Sequence, residues 1–260
     1  MTVNLIDTLY FKENNSFVTG GYGMEVLVQT NNLTKRYGKH KVVNSVNLSV
    51  KKGEIYGLIG RNGAGKTTVL RLISGLAKPT GGNVCLFEKN GHDTIYAQNR
   101  VGVLIENPGV YPNMNAKENI KLKCLAKGIS SKSYITELLE SVGLSTADKK
   151  KVKHFSVGMK QRLGIALALV GSPELVLLDE PINGLDPQGM AEIREMISRL
   201  NRERGITFII SSHILGELSK IATSYGIIEK GELKKQILKT ELTEDLEEYF
   251  FSLTGGVSHD

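Results

Sequence analysis

Gly60-Arg61-Asn62-Gly63-Ala64-Gly65-Lys66-Thr67 fits the pattern G-x-x-x-x-G-K-[ST]. What stands on either side gives the pattern its weight. Ile55-Tyr56-Gly57-Leu58-Ile59 before it reads as a buried strand, and Thr68 with Val69, Leu70, Leu72 and Ile73 after it read as a helix, with Gly75 near its end. A glycine-rich turn between a strand and a helix N-terminus is a phosphate cradle. Glycines let successive N–H groups turn inward on phosphate oxygens, and the helix end adds positive potential. The expected binding set is Gly60, Asn62, Gly63, Ala64, Gly65, Lys66, Thr67 and Thr68, with Lys66 on the β and γ phosphates and the Thr67 hydroxyl on Mg²⁺.

A second element completes that chemistry. Val176-Leu177-Leu178-Asp179-Glu180 is an apolar strand ending in adjacent acids, a costly arrangement unless a cation or hydrogen bonds compensate the carboxylates. Asp179 is expected to hold Mg²⁺ through water, and Glu180 to orient or deprotonate an attacking water. Consecutive strand residues point to opposite faces, so both acids serve one site only if the chain bends; Pro181 is the reason to expect the bend there.

Working outward, Leu175 to Leu178 and Phe208-Ile209-Ile210 are continuous apolar runs of the kind a parallel strand buried on both faces requires. Between them Asp186-Pro187 supplies an N-cap and first helical position. Met190, Ile193, Ile197 and Leu200 make one face, and Gly205 stops the helix. Strand, helix and strand in this rhythm imply an α/β fold around a parallel sheet. Residues 24–60 are strand-rich, and residues 107–163 read as a helical insert, with Ile135, Leu138, Leu139 and Val142 at helical spacing before Gly143. Leu242, Leu246, Tyr249, Phe250 and Leu253 form a terminal helical stripe, more in keeping with core or dimer contact than with a binding box. Residues 1–23 show no clear periodicity and read as a loosely attached extension; residues 237–260 read as a helical tail.

Composition narrows the class. The chain has 260 residues with 40% apolar and 23% charged side chains, which excludes a disordered or fibrous protein. Thirty-three Lys and Arg against 27 Asp and Glu leave a net charge of +6, compatible with a nucleotide, nucleic acid, an anionic membrane or an acidic partner. Cys85 and Cys124 support neither a disulfide framework nor a zinc site. The longest apolar stretch, Leu163 to Gly171, falls well short of the roughly 20 residues of a membrane span, and no secretory signal pattern opens the chain. Lys149-Lys150-Lys151 with Lys153 reads as a solvated loop.

Phe155-Ser156-Val157-Gly158-Met159-Lys160-Gln161-Arg162 opens the helix marked by Leu163, Ala166, Leu167 and Val170, with Ser156 as a natural N-cap. Phosphate loop, helical insert, Ser-x-Gly helix start, acidic strand and then Ser211-Ser212-His213, in this order, resemble the nucleotide-binding domain of ATP-binding-cassette transporters. The resemblance runs from Met24 to about Gly231. It implies a P-loop NTPase fold: a RecA-like mixed sheet, an antiparallel β subdomain, and the helical subdomain at residues 107–163 within an ATPase domain of residues 24–236. It also implies ATP and Mg²⁺ as cofactors, Tyr37 stacking on adenine, and Ser156 and Gly158 contacting ATP held by the opposite subunit of a dimer. Val157 and Met159 depart from the family's commonest Leu-Ser-Gly-Gly-Gln. Asn183-Gly184-Leu185-Asp186 is similar to the D-loop, which brings Asp186 to the nucleotide; His213 is similar to the switch histidine on the γ-phosphate; Ile182 stands where threonine is often found.

Most members carry glutamine where this chain has Glu106. Glu106-Asn107-Pro108-Gly109 with Tyr111-Pro112, and the tail Glu248 to Gly256, resemble the bacitracin-export and lantibiotic-immunity branch. On that reading Glu106 joins Thr67 and Asp179 around Mg²⁺. The chain is then an ATPase subunit at the cytoplasmic face of the membrane. It powers separate integral membrane permease subunits, dimerises on ATP, and has no nucleic-acid partner. A non-transport relative acting on nucleic acid or the ribosome would need a coiled-coil insert or tandem cassettes, and neither is visible. A simple P-loop kinase or GTPase would leave the Ser156 segment unexplained.

Overall fold

The computed structural model describes residues 25–87, 89–90, 99–145 and 149–255, so the expected extension at residues 1–23 lies outside the described residues. Two sheets are stacked. The first is antiparallel, with β1 (Val26–Tyr37) paired to β2 (His40–Val46), β3 (Ser49–Lys51) and β5 (Gly81–Leu86), and β5 to β6 (Lys89–Asn90). The second has the order β11-β10-β4-β9-β8-β7. Its strands are β4 (Ile55–Ile59), β7 (Val101–Leu104), β8 (Leu175–Asp179), β9 (Thr207–Ser212), β10 (Ser224–Glu229) and β11 (Glu232–Leu238). They run parallel except for β11, which turns back on β10 and reaches beyond residue 236.

The apolar runs behave as a two-sided sheet demands. Every residue of β4, β8 and β9 is buried. Alternation then divides their side chains between two cores. Leu175 and Leu177 face the antiparallel sheet with Val28, Leu33 and Val43, while Val176 and Leu178 face the helices with Leu163 and Ile197. Each such burial contributes about 1.5–3 kcal/mol, enough to hold the ends of these strands in fixed register.

Helices join the strands. α1 (Lys66–Ile73) follows β4, and α5 (Pro187–Arg204) crosses from β8 to β9. Asp186 caps α5 by accepting from Gly189 N at 2.8 Å, and Gly205 ends it at φ 64°. Ile193, Met196, Ile197 and Leu200 are its buried face, with Met190 partly buried against the same core. Between β7 and β8 lie α2 (Ala116–Ala126), α3 (Lys132–Ser141), a 3₁₀ turn at Val152–His154 and α4 (Val157–Leu169). A reciprocal Asn115–Glu118 capping box starts α2, Ser131 caps α3, and Gly143 follows α3 at φ 69°. Lys149, Lys150, Lys151 and Lys153 are exposed, whereas Val152 anchors their loop in the core.

The terminal stripe needs correction. α6 (Leu215–Leu218) follows β9, and the last helix, α7 (Leu246–Thr254), starts at an Asp245 cap and packs on α6. It buries Leu246 and Phe250, with Tyr249 partly buried; Leu253 is exposed, and Leu242 precedes the helix, closing a 3₁₀ turn at Lys239–Glu241. Asp245 as an N-cap resets the helical phase, which takes Leu242 out of the helix, although Leu242 still packs against the same core as Leu246 and Phe250.

Candidate functional site

The phosphate loop leaves the fully buried β4 and enters α1 through Gly65, which has φ 106°. No side chain caps this helix and its first turn holds no acid, so its N-terminal amide groups are kept for an anion. Two glycines let neighbouring backbone approach. A Cβ on Gly60 would stand 2.4 Å from the Ile228 carbonyl oxygen, and one on Gly65 2.8 Å from that of Val42. From the β10–β11 turn, Gly231 at φ 81° donates its N–H to the Ala64 carbonyl at 2.9 Å. The loop is thus backed by both sheets.

Lys66 is almost wholly buried, and its ammonium is satisfied locally. Nζ donates to the Gly60 carbonyl at 2.7 Å and stands 3.2 Å from Glu180 Oε1. Glu180 Oε2 meets His213 Nδ1 at 2.9 Å. The carboxylate therefore joins the loop lysine to the residue after β9. Thr67 Oγ1 donates to Asp179 Oδ2 at 2.8 Å, and Ser211 Oγ donates to Asp179 Oδ1 at 2.5 Å. Both acids serve one site, as the chemistry requires, but the bend lies at Glu180 itself, a non-glycine residue at φ 49°, before Pro181 is reached. Its N–H is held by the Ser211 hydroxyl at 3.0 Å, which stabilises the left-handed turn.

Thr67 Oγ1 and Asp179 form a hard oxygen pair beside a phosphate cradle. That donor set suits Mg²⁺, which takes one or two protein oxygens and fills its octahedron with phosphate and water. Glu106, expected with this pair, instead forms an ion pair with Arg71 at 2.6 Å. Among the described residues no hydrogen bond or ion pair joins Tyr37, Ser156, Gly158 or Asp186 to the phosphate loop. Tyr37 ends β1 with an exposed ring, the Lys35 ammonium 5.0 Å from its centroid. Ser156 caps α4 by accepting from Met159 N at 3.2 Å, with Gly158 in its first turn.

Three contributors escaped the sequence reading: Ser211, Arg71 and Gly231. Ser211-Ser212 closing an apolar strand is itself a signal, since a buried hydroxyl requires a partner. Arg71 looks like any surface arginine on a helix, and Gly231 like any hairpin glycine, until the chain is folded.

A family profile described as ABC transporter matches residues 43–183. The bacitracin transport ATP-binding protein BcrA of Enterococcus faecalis is 48% identical over 220 residues, covering 84% of this chain and 71% of BcrA. The lantibiotic transport ATP-binding protein SrtF of Streptococcus pyogenes is 45% identical over 227 residues, covering 86% of this chain and 96% of SrtF. Among solved structures, an ATP-binding subunit of an ABC transporter superposes with a TM-score of 0.77 at 28% identity, covering 88% of this chain and 99% of that one. A dimeric post-hydrolysis cassette, MJ0796 bound to ADP and phosphate, gives 0.74 at 26% identity over 82% of this chain and 99% of its own. The glycine-rich loop motif, the acidic strand end and these relationships agree: the chain belongs to the ATP-binding ATPase subunits of ABC transporters.

Proposed function

We propose that this chain binds Mg·ATP between its phosphate loop and Asp179, hydrolyses it with Glu180, and uses the cycle to drive a separate membrane permease that exports a peptide antibiotic. The observation that carries the reading is the Lys66–Glu180–His213 chain standing beside the Thr67–Asp179–Ser211 chain. The kinship with BcrA and SrtF, whose names record bacitracin and lantibiotic transport, supports the peptide cargo.

In this mechanism Lys66 and the loop amides would hold the β and γ phosphates, while Thr67 and Asp179 would hold the cation. When bound, Mg²⁺ would supply charge neutralisation on the phosphoryl oxygens. Glu180 accepts a hydrogen bond from the attacking water and takes its proton, and His213, tied to the same carboxylate, faces the γ-phosphate. Tyr37 offers its exposed ring to adenine. Ser156, Gly158 and Asp186 stand at helix starts directed to a second copy, so two chains enclose two nucleotides. Among the described residues no helix is long and apolar enough to cross a membrane. The chain then works at the cytoplasmic face through its permease.

Glu180→Gln tests the reading. The amide keeps the shape and loses the base, so hydrolysis should fall about 10²–10⁴-fold while ATP binding persists and ATP-dependent dimers accumulate in size-exclusion chromatography. Hydrolysis at the parent rate would remove Glu180 from this role. Co-expression with the permease, scored as protection against bacitracin and lantibiotics, tests the cargo.

A further inference from the structure

Arg71 and Glu106 take no part in the chemistry derived above, yet they meet at 2.6 Å beside it. We propose that Arg71 is a positioning residue that, by pairing with Glu106, keeps this carboxylate back from the neighbouring cation site, and that the pair thereby sets how strongly a divalent cation tightens nucleotide binding. The inference rests on the Mg·ATP reading above and adds to it a control that the phosphate loop does not contain.

Arg71 follows Thr67 by four residues on α1, so the two side chains share a face of the helix. Glu106 follows β7, whose Leu104 pairs with Leu178 of β8, so a third carboxylate leaves the sheet beside the strand end that carries Asp179. Glu106 lies two residues beyond β7 at φ 62°, in the left-handed region that few L residues occupy.

Mobility separates the carboxylates. Asp179 is buried and fixed by Thr67 and Ser211. The Glu106 side chain is 58% exposed and that of Arg71 36%, so exchanging this pair for another partner costs little desolvation. The site therefore has one immovable acid and one tethered acid. While Arg71 neutralises Glu106, that carboxylate is withheld from the cation. Without Arg71 its full negative charge is available there.

The experiment is a double-mutant cycle on Arg71→Gln and Glu106→Gln. Its readout is the ratio of affinities for a non-hydrolysable ATP analogue with saturating Mg²⁺ and in EDTA, measured by calorimetry on the full chain. In the Glu106 background, Arg71→Gln should raise this ratio about three- to five-fold, the effect of releasing one partly exposed charge pair. In the Glu106→Gln background it should change less than about two-fold. Arg71→Lys should keep the parent ratio, and thermal unfolding should confirm that all variants fold. An equal rise in both backgrounds would mean that Arg71 acts by general repulsion of the cation, and no rise in either would mean that the pair is inert; both results overturn the proposal. A parent chain that gains nothing from Mg²⁺ would overturn the Mg·ATP reading as well, which keeps the two failures distinct.

Discussion

Replacing Gly231 with alanine perturbs the phosphate loop without touching a residue that meets nucleotide. At φ 81° an L residue is strained by about 1–2 kcal/mol. Its Cβ would lie 2.4 Å from the Val42 carbonyl oxygen, closer than any real contact, so backbone has to move. That movement threatens two hydrogen bonds, Gly231 N–H to Ala64 at 2.9 Å and Asn44 N–H to Gly231 at 2.8 Å, each worth about 1 kcal/mol. The expected loss is about 3–4 kcal/mol, or on the order of 6–16 °C in Tm at roughly 2–4 °C per kcal/mol for a chain of this size. Gly205→Ala is the control, because Gly205 also has positive φ but nothing within 4 Å of its added Cβ. It should lose only the strain term, about 1–2 kcal/mol, and bind Mg·ATP as the parent does. Gly231→Ala should bind on the order of tenfold more weakly, since the loop it supports is displaced. Thermal denaturation and calorimetry decide. Equal Tm losses in the two variants, with equal nucleotide affinity, would refute the claim that the β10–β11 turn supports the loop.

Lys66→Ala should fail at binding rather than at hydrolysis, because it removes the cation facing the phosphates; parent-like Mg·ATP affinity by calorimetry would contradict the loop assignment. Ser156→Asp keeps an N-cap of similar worth, so Tm should move by less than about 1 kcal/mol equivalent, while the added charge repels a phosphate on the partner copy and abolishes ATP-dependent dimers. A Ser156→Asp dimer of parent stability would move the trans contact elsewhere. Glu106→Ala should cut peptide export more than ATP affinity, with Glu106→Gln mild, when protection and nucleotide binding are measured on the same variants in the presence of the permease.

The parts of this molecule legible in its sequence are those whose cause is local. Gly65 with Lys66, Asp186 with Pro187, Ser156 at its cap and the run Leu175 to Leu178 each announce a backbone geometry within a few residues, and the fold contains them all. What escaped depends on residues far apart in the chain. Ser211 reaches Asp179 across two neighbouring strands, Arg71 reaches Glu106 from a helix to a loop, and Gly231 supports Ala64 from the far end of the domain. The bend between the two acids was expected from Pro181, yet Glu180 makes it, because a hydroxyl on β9 holds the Glu180 amide in place. Leu242 was misread for the opposite reason: apolar periodicity continued past a point where the Asp245 cap restarts the helix.

Strand order also acts as a ruler. The loop strand β4 and the acid strand β8 are not neighbours, since β9 lies between them. At about 4.8 Å per strand, one intervening strand sets the β4 and β8 backbones nearly 10 Å apart, against about 5 Å had they been paired directly, and the side chains bridge that spacing, Thr67 to Asp179 and Lys66 to Glu180. The spacing is therefore a property of chain routing, indifferent to which side chains cross it, and β9 as spacer supplies Ser211, with His213 just beyond its end, to the acids of the neighbouring strand. Substitutions in the loops and the helical insert leave that spacing unchanged, because the strand order alone sets it.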